Sequence, residues 1–408
     1  MTEQELLDLI AQAWEEEWEE LNLSNVGLNS LLPEIGRLVK LKRLSLFEWS
    51  SQAEIIIPQS IGELVNLEVL SIYGYKLSII PEWIERLTNL QNLDLTMNEI
   101  SVIPEWIGRL TNLQYLNLGH NKVVTISESI GQLINLESLM LESNPIESIS
   151  ESVGKLTKLK ILELTGTEIE SIPESLGKLI NLERLSILGK YITIPSSITQ
   201  LINLEILTLS GDYTIIPELI GQLTNLKSLT LFSNRIKCIP ESIGQLINLK
   251  SLNLFGENIV VIPESIGQLH LLEWLRVCGT QIEFIPESIG QLINLIDLKL
   301  DNNKIVAIPE SIGQLMNLVY ITLSGNKIMT IPDSIGQLNS LKQLDLKTNQ
   351  ISTVPDTMDG LINLLYLDLS ENNLIFLPDS INRLVELRKL QTFGFSDYRW
   401  QIDQIQIL

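Results

Sequence analysis

Apolar positions recur along this chain in one motif. A clean copy carries Leu318, Leu323, Ile328, Ile331, Pro332, Ile335 and Leu338, and Leu341 opens the next copy 23 residues after Leu318. Within each copy, Leu-x-x-Leu-x-Leu alternates apolar and polar residues near its end, as a short strand does. The leucines are predicted to point inward and the intervening side chains outward. Ile-Pro-Glu-Ser-Ile-Gly-Gln-Leu follows and predicts a short helical turn. Proline suits its first position, where the missing N–H costs nothing, and Glu favours the positive end of the backbone dipole. Glycines such as Gly244 and Gly313 are expected to end the turn in a left-handed conformation.

The prolines set the period. They stand at Pro33, Pro58, Pro81, Pro104, Pro173, Pro195, Pro217, Pro240, Pro263, Pro286, Pro309, Pro332, Pro355 and Pro378, with Ser127 and Ser150 at the two missing marks. Most intervals are 23 residues; the interval before Pro58 is 25, and the two between Pro173 and Pro217 are 22. A single unit of this kind cannot bury its apolar edge. Stacked units can, so the period predicts an α/β solenoid with a continuous Leu/Ile core. Parallel strands spaced by ~4.8 Å would line one concave face, with short helical or 3-10 turns on the convex side. About sixteen units then give an arc on the order of 70–80 Å.

Three places after the last strand leucine stands a recurrent asparagine: Asn98, Asn121, Asn144, Asn234, Asn303, Asn326, Asn349 and Asn372. Thr167 and Thr280 substitute for it. An amide both donates and accepts, so a stacked row is expected to satisfy turn backbone groups along a ladder. This pattern, from about Trp18 to Leu390, resembles the leucine-rich-repeat family and its typical intracellular 23-residue class. The resemblance implies a horseshoe and an interaction scaffold. The opening, with Leu21, Asn22, Leu23 and Ser24 and then Leu31, Leu32, Pro33 and Glu34, is similar to bacterial leucine-rich-repeat proteins and to the repeat region of Roco-type GTPases. The phosphate-binding Gly-x-x-x-x-Gly-Lys-Ser/Thr loop of those GTPases is absent from the sequence, so nucleotide binding does not carry over.

The expected organisation is a capping helix over residues 1–20, a solenoid over 18–390 and a C-terminal cap or tail over 391–408. Thr2 and Glu5 fit a capping box, and Leu6, Leu7, Ile10, Ala13, Trp14 and Trp18 follow helical spacing. A cover for the open end explains this helix; a dimerisation helix is the alternative. After Leu390, Phe393, Phe395, Tyr398 and Trp400 read as a closing cap, a docking tail or the stub of a further domain. The short units carry Gly189, Lys190 and Tyr191, then Gly211, Asp212 and Tyr213; Trp49 marks the expanded one. These irregularities are either functional or tolerated drift.

Composition narrows the function. Fifty acidic against 28 basic residues give a net charge of −22, which disfavours nucleic acid and anionic membranes as partners. The N-terminus lacks a signal-peptide pattern and no apolar run approaches membrane-spanning length, so a cytoplasmic location is expected. His120 and His270 lie six rungs apart, and Cys238 and Cys278 lie two rungs apart on different edges. Neither pair predicts a metal site, a catalytic dyad or a disulfide. The chain is expected to be no enzyme and to hold no cofactor and no metal.

Outward strand positions supply the candidate binding residues. Phe47, Tyr73 and Tyr115, with Met140, form an early aromatic group. Phe232, Phe255 and Trp274, on successive rungs, are predicted to form one contiguous patch, and Tyr320 and Tyr366 continue it. Exposed aromatics are enriched at binding hot spots; isolated ones are ordinary surface. Asp94, Glu142 and Glu163 make an acidic stretch. Arg184, Arg276, Lys299 and Lys347 interleave with Asp297, Asp301, Asp345 and Asp368, either as selectivity chemistry or as a solvated mixed surface. The repeated Glu after each proline reads as a solubilising rim. The expected function is a non-catalytic scaffold in intracellular signalling that binds a protein partner on the concave sheet, with a monomer the favoured state. Two alternatives stand beside it: an exported bacterial effector or surface protein, and a regulatory subunit of a separately encoded GTPase or kinase.

Overall fold

The computed structural model describes residues 1–48, 54–189, 194–211, 215–375, 378–386 and 392–394. Trp49, Tyr191, Tyr213, Phe395, Tyr398 and Trp400 lie outside them. The chain divides into two compact units, Met1–Gly211 and Asp212–Leu408.

Each unit is a stack of short parallel strands joined by five-residue 3-10 turns. The pairing offset equals the repeat period, so each inward leucine lies on the equivalent leucine of its neighbour. In the first unit Leu44, Leu70, Leu93, Leu116, Leu139 and Leu162 follow one another across the sheet. In the second, Leu229, Leu252, Leu275, Leu298, Ile321, Leu344 and Leu367 do the same. These side chains are buried throughout. Burying one such side chain is worth about 1.5–3 kcal/mol, so each buried row adds substantially to the cohesion between rungs. Each unit is a solenoid of stacked strand-and-turn rungs, as the period predicts.

The turns begin at the proline marks, as at Glu241–Gln245 after Pro240 and Glu310–Gln314 after Pro309. At Ser127 and Ser150 the serine hydroxyl caps the turn instead, accepting the N–H of Ser129 and of Ser152. The repeated Glu is more than a solubilising rim. The Glu241 carboxylate accepts the Ser265 N–H of the next rung at 3.3 Å, and Glu264 and Glu287 accept those of Ser288 and Ser311 at 3.2 and 3.3 Å. Each carboxylate thus ties one turn to the next.

Gly244 and Gly313 do not end their turns left-handed; the positive-φ glycines are Gly27, Gly74, Gly166, Gly279 and Gly325. Their role is close approach. A Cβ on Gly244 would lie 2.6 Å from the Ser265 carbonyl oxygen, and one on Gly313 would lie 2.7 Å from that of Ser334. Only a hydrogen fits between those turns.

The asparagine ladder forms with one exception. Asn326 accepts the Ile305 N–H at 3.0 Å and donates to the Leu300 and Leu323 carbonyls at 2.9 Å. Asn98, Asn121, Asn144, Asn303, Asn349 and Asn372 make equivalent bonds. Thr167 and Thr280 are buried in the same places. Asn234 is exposed. The difference lies in the preceding residue. Met97, His120, Ser143, Asn302, Gly325, Thr348 and Glu371 all have positive φ, which turns the following amide inward, and Ser233 does not. There the strand continues to Phe232, and Ser233 takes the buried position. A second amide row, unread in the sequence, runs along the other edge: Asn66, Asn89, Asn112 and Asn135 donate to carbonyls of the preceding rung at 2.8–2.9 Å. Asn248, Asn294 and Asn317 continue this pattern in the second unit.

The N-terminal helix spans Glu3–Glu15 with the expected Thr2–Glu5 capping box. It is shorter than residues 1–20, because Glu17 turns at positive φ and Glu20–Asn22 is already a strand. Leu6, Ile10 and Ala13 are buried, whereas Trp14 is 61% exposed. After Pro378 an α-helix, Asp379–Glu386, replaces the 3-10 turn and buries Ile381 and Leu384. Phe393 lies in a last strand, Thr392–Gly394, paired with Tyr366–Asp368.

Candidate functional site

Outward side chains of the second unit form columns across the sheet. The first residues of the strands place Ser228, Ser251, Trp274, Asp297, Tyr320, Gln343 and Tyr366 side by side. Two residues further on come Thr230, Asn253, Arg276, Lys299, Thr322, Asp345 and Asp368. Where the strands run to five residues, Phe232, Phe255 and Cys278 make a third column.

This register divides the expected aromatic patch. Phe232 and Phe255 stack with ring centroids 4.6 Å apart and planes 8° from parallel. Trp274 pairs with Ser251, four positions from the residue opposite Phe255, which is Cys278. At ~3.3 Å per residue that offset is ~13 Å along the strand. Trp274 therefore belongs with Tyr320 and Tyr366 rather than with the phenylalanines. Trp274 is 42% exposed, Tyr320 41% and Phe232 37%.

Charge is graded in the middle column. Arg276 and Lys299 are direct cross-strand neighbours, a like-charge pairing that disfavours the empty sheet. Lys299 is partly neutralised by Asp297 at 3.3 Å. Two strands on, Asp345 and Asp368 are also neighbours. Burial, and then the charges of Asp368 and Asp301, push the Asp345 carboxyl above its usual range. Asp301 accepts from the Thr322 hydroxyl at 2.7 Å and from the Ser324 N–H and hydroxyl at 2.9 Å. Lys347 pairs with Glu371 at 3.3 Å.

In the first unit Phe47 and Tyr73 are register partners, with ring centroids 4.6 Å apart and planes at 47°. Tyr115 is not with them. It lies at the opposite end of its strand, aligned with Asn92 and Val69, where its hydroxyl contacts the Met140 sulfur at 3.4 Å and accepts from Asn117 at 3.0 Å. Burial raises the Tyr115 hydroxyl and the Glu163 carboxyl above their ordinary values. Arg184 stands 3.9 Å from Glu163, across the strand boundary. A recess of about 680 Å³ along the strand starts of this unit is polar and internally matched: Lys42 pairs with Glu19 at 2.8 Å, and Lys158 donates to Asn135 at 2.7 Å.

The Cys278 thiol is not primed for nucleophilic chemistry. Burial pushes the Cys278 thiol up, the reverse of what a reactive cysteine needs. Both cysteines are free, and Cys238 is exposed. His120 sits exposed at a left-handed turn of the first unit. His270, in the second, is exposed and lies 3.4 Å from the Gln291 carbonyl. Among the described residues no group of His, Cys, Asp and Glu side chains is arranged to hold a metal ion, and no helix is long and apolar enough to cross a membrane.

The sequence matches the family described as leucine-rich repeat region over residues 19–148, 146–241, 234–318 and 307–406. No curated protein matches significantly. Among solved structures, a leucine-rich-repeat protein of Leptospira interrogans is 37% identical with a TM-score of 0.86, covering 94% of this chain and 97% of that one. An internalin of Listeria monocytogenes is 25% identical, with a TM-score of 0.65 and coverage of 82% and 88%. The ectodomain of the Arabidopsis receptor kinase HAESA, solved with a peptide hormone bound, is 27% identical, with a TM-score of 0.66 and coverage of 93% and 70%.

Proposed function

Since the chain belongs to the leucine-rich-repeat family, whose members are generally non-catalytic interaction scaffolds and receptors, we propose that it binds a protein partner on the exposed sheet face of its second unit. One observation carries the reading: half-exposed aromatics, the Phe232–Phe255 stack and the Trp274 and Tyr320 rings, stand on rigid strands beside a graded charge column. Rigid aromatics bury large area at little entropic cost. The graded charge steers a partner and sets its register. The HAESA ectodomain, solved with a peptide hormone, gives peptide binding a precedent in a related fold. We propose a cytoplasmic setting and a signalling role for this interaction.

A second reading is an exported or cell-surface interaction protein; the likeness to the Leptospira and Listeria proteins favours a bacterial leucine-rich-repeat protein under either reading. Cell fractionation separates the two. The face itself is tested with a photoreactive amino acid at Tyr320 or at Ile293, which is exposed off the sheet. The reading expects a partner adduct from Tyr320 and none from Ile293; equal adducts refute it.

A further inference from the structure

The first column of the second unit carries an aromatic ring on every second strand: Trp274, then Tyr320, then Tyr366. Strands in a parallel sheet lie ~4.8 Å apart, so successive rings are ~9.6 Å apart. That distance matches one repeat of the polyproline II helix, ~9.3 Å for three residues at ~3.1 Å each. Asp297 and Gln343 fill the intervening strands with shorter side chains, leaving two slots between three rings. Proline-rich segments are recognised in this manner: rings stack on the pyrrolidine faces, and Trp N–H or Tyr O–H donates to the unpaired backbone carbonyls.

Resting on the sheet-face reading above, we propose that this row binds a proline-rich segment of the partner in the polyproline II conformation, with one proline per ring. Trp274 to Tyr366 spans four strand spacings, ~19 Å, or ~6 residues of that helix. The neighbouring column selects the flanks. Arg276 and Lys299 lie beside the Trp274 end, and Asp345 and Asp368 beside the Tyr366 end. The fitting segment therefore carries carboxylates at one end, cations at the other, and prolines three apart between them. The Tyr366 hydroxyl donates to the Asp368 carboxylate at 3.2 Å, which fixes the ring, so at that end it is the ring face that meets the proline.

The test uses the full chain and fluorescein-labelled Asp-Asp-Pro-Ala-Ala-Pro-Ala-Ala-Pro-Lys-Lys, followed by anisotropy. A counterpart with the end charges exchanged covers the opposite chain direction. A third peptide, with glycine in place of each proline, keeps the charge and removes the helix. At least one proline peptide is expected to bind about tenfold more tightly than the glycine peptide, and Trp274→Ala or Tyr320→Ala to weaken it by about five- to tenfold. Ile293→Ala, off the sheet, should leave it unchanged. Both replaced rings are exposed, so circular dichroism should report an intact fold for each variant. Proline and glycine peptides binding alike, or no loss in Trp274→Ala and Tyr320→Ala, would overturn the proposal. If the Tyr320 photoadduct still forms while both proline peptides fail, the sheet-face reading stands and the polyproline assignment alone falls.

Discussion

Asn326 and Asn234 occupy the same repeat phase, and the structure assigns them opposite energetic weights. Replacing Asn326 by Ala removes the acceptor of the Ile305 N–H, a long 3.4 Å bond to the Ser324 carbonyl and the two 2.9 Å bonds donated to the Leu300 and Leu323 carbonyls. The two carbonyls keep other donors, because Leu300 still receives Asn303 and Leu323 still receives Asn349. The Ile305 N–H, on a fully buried residue, keeps nothing. An orphaned buried donor costs about 1–3 kcal/mol and each lost bond about 1 kcal/mol, which puts Asn326→Ala at about 3 kcal/mol. Asn234→Ala removes an exposed amide and should stay within about 0.5 kcal/mol. Asn326→Thr should fall between, because a hydroxyl serves at Thr167, where it lies 3.1 Å from both the Leu164 and Leu188 carbonyls and shares its one proton between them. Urea unfolding of the three variants measures the ranking, and amide exchange at Ile305 locates it. Equal losses at both positions, or an unchanged Ile305 exchange rate in Asn326→Ala, would refute the ladder as a source of stability.

Other consequences follow from the packing and the electrostatics. Gly244→Ala should destabilise by about 1–3 kcal/mol, read from the urea midpoint, because the added methyl meets the Ser265 carbonyl. At pH 8 a disulfide reagent should modify exposed Cys238 well before Cys278, whose thiol is raised by burial; equal rates would contradict that burial. Asp345 has a folded value above its ordinary 3.8, so folding favours its protonated form. Its ionisation therefore costs stability as pH rises from about 3.8 through the folded value. Asp345→Asn should be more stable than wild type at pH 7 and equal to it below that window, as thermal melts across pH would record.

The solenoid was legible because one number, the 23-residue spacing, fixes both the strand register and the stacking of the leucines. The same spacing also separates Trp274 from the two phenylalanines. Adding 23 to Phe255 gives Cys278, not Trp274, so residues on successive rungs need not touch when they differ in strand phase. Asn234 was misassigned because the motif records the amide but not the backbone before it, and Ser233 lacks the left-handed turn that points the others inward. In the motif Gly244 and Gly313 look like turn-enders, because a lone unit cannot reveal a neighbour's carbonyl 2.6–2.7 Å from the place of a Cβ. Contacts between rungs are non-local by nature, and the motif encodes them only through its repetition.

The most direct test of sheet-face recognition is quantitative capture of bound protein by three forms of the chain. These are the wild type, a Phe232→Ala/Phe255→Ala/Trp274→Ala variant, and an Ile247→Ala/Ile293→Ala/Met316→Ala variant altered at exposed positions off the sheet. The account predicts that a partner held by the wild type is retained by the off-sheet variant and lost from the sheet-face variant. Retention by the sheet-face variant with loss from the off-sheet variant would contradict it.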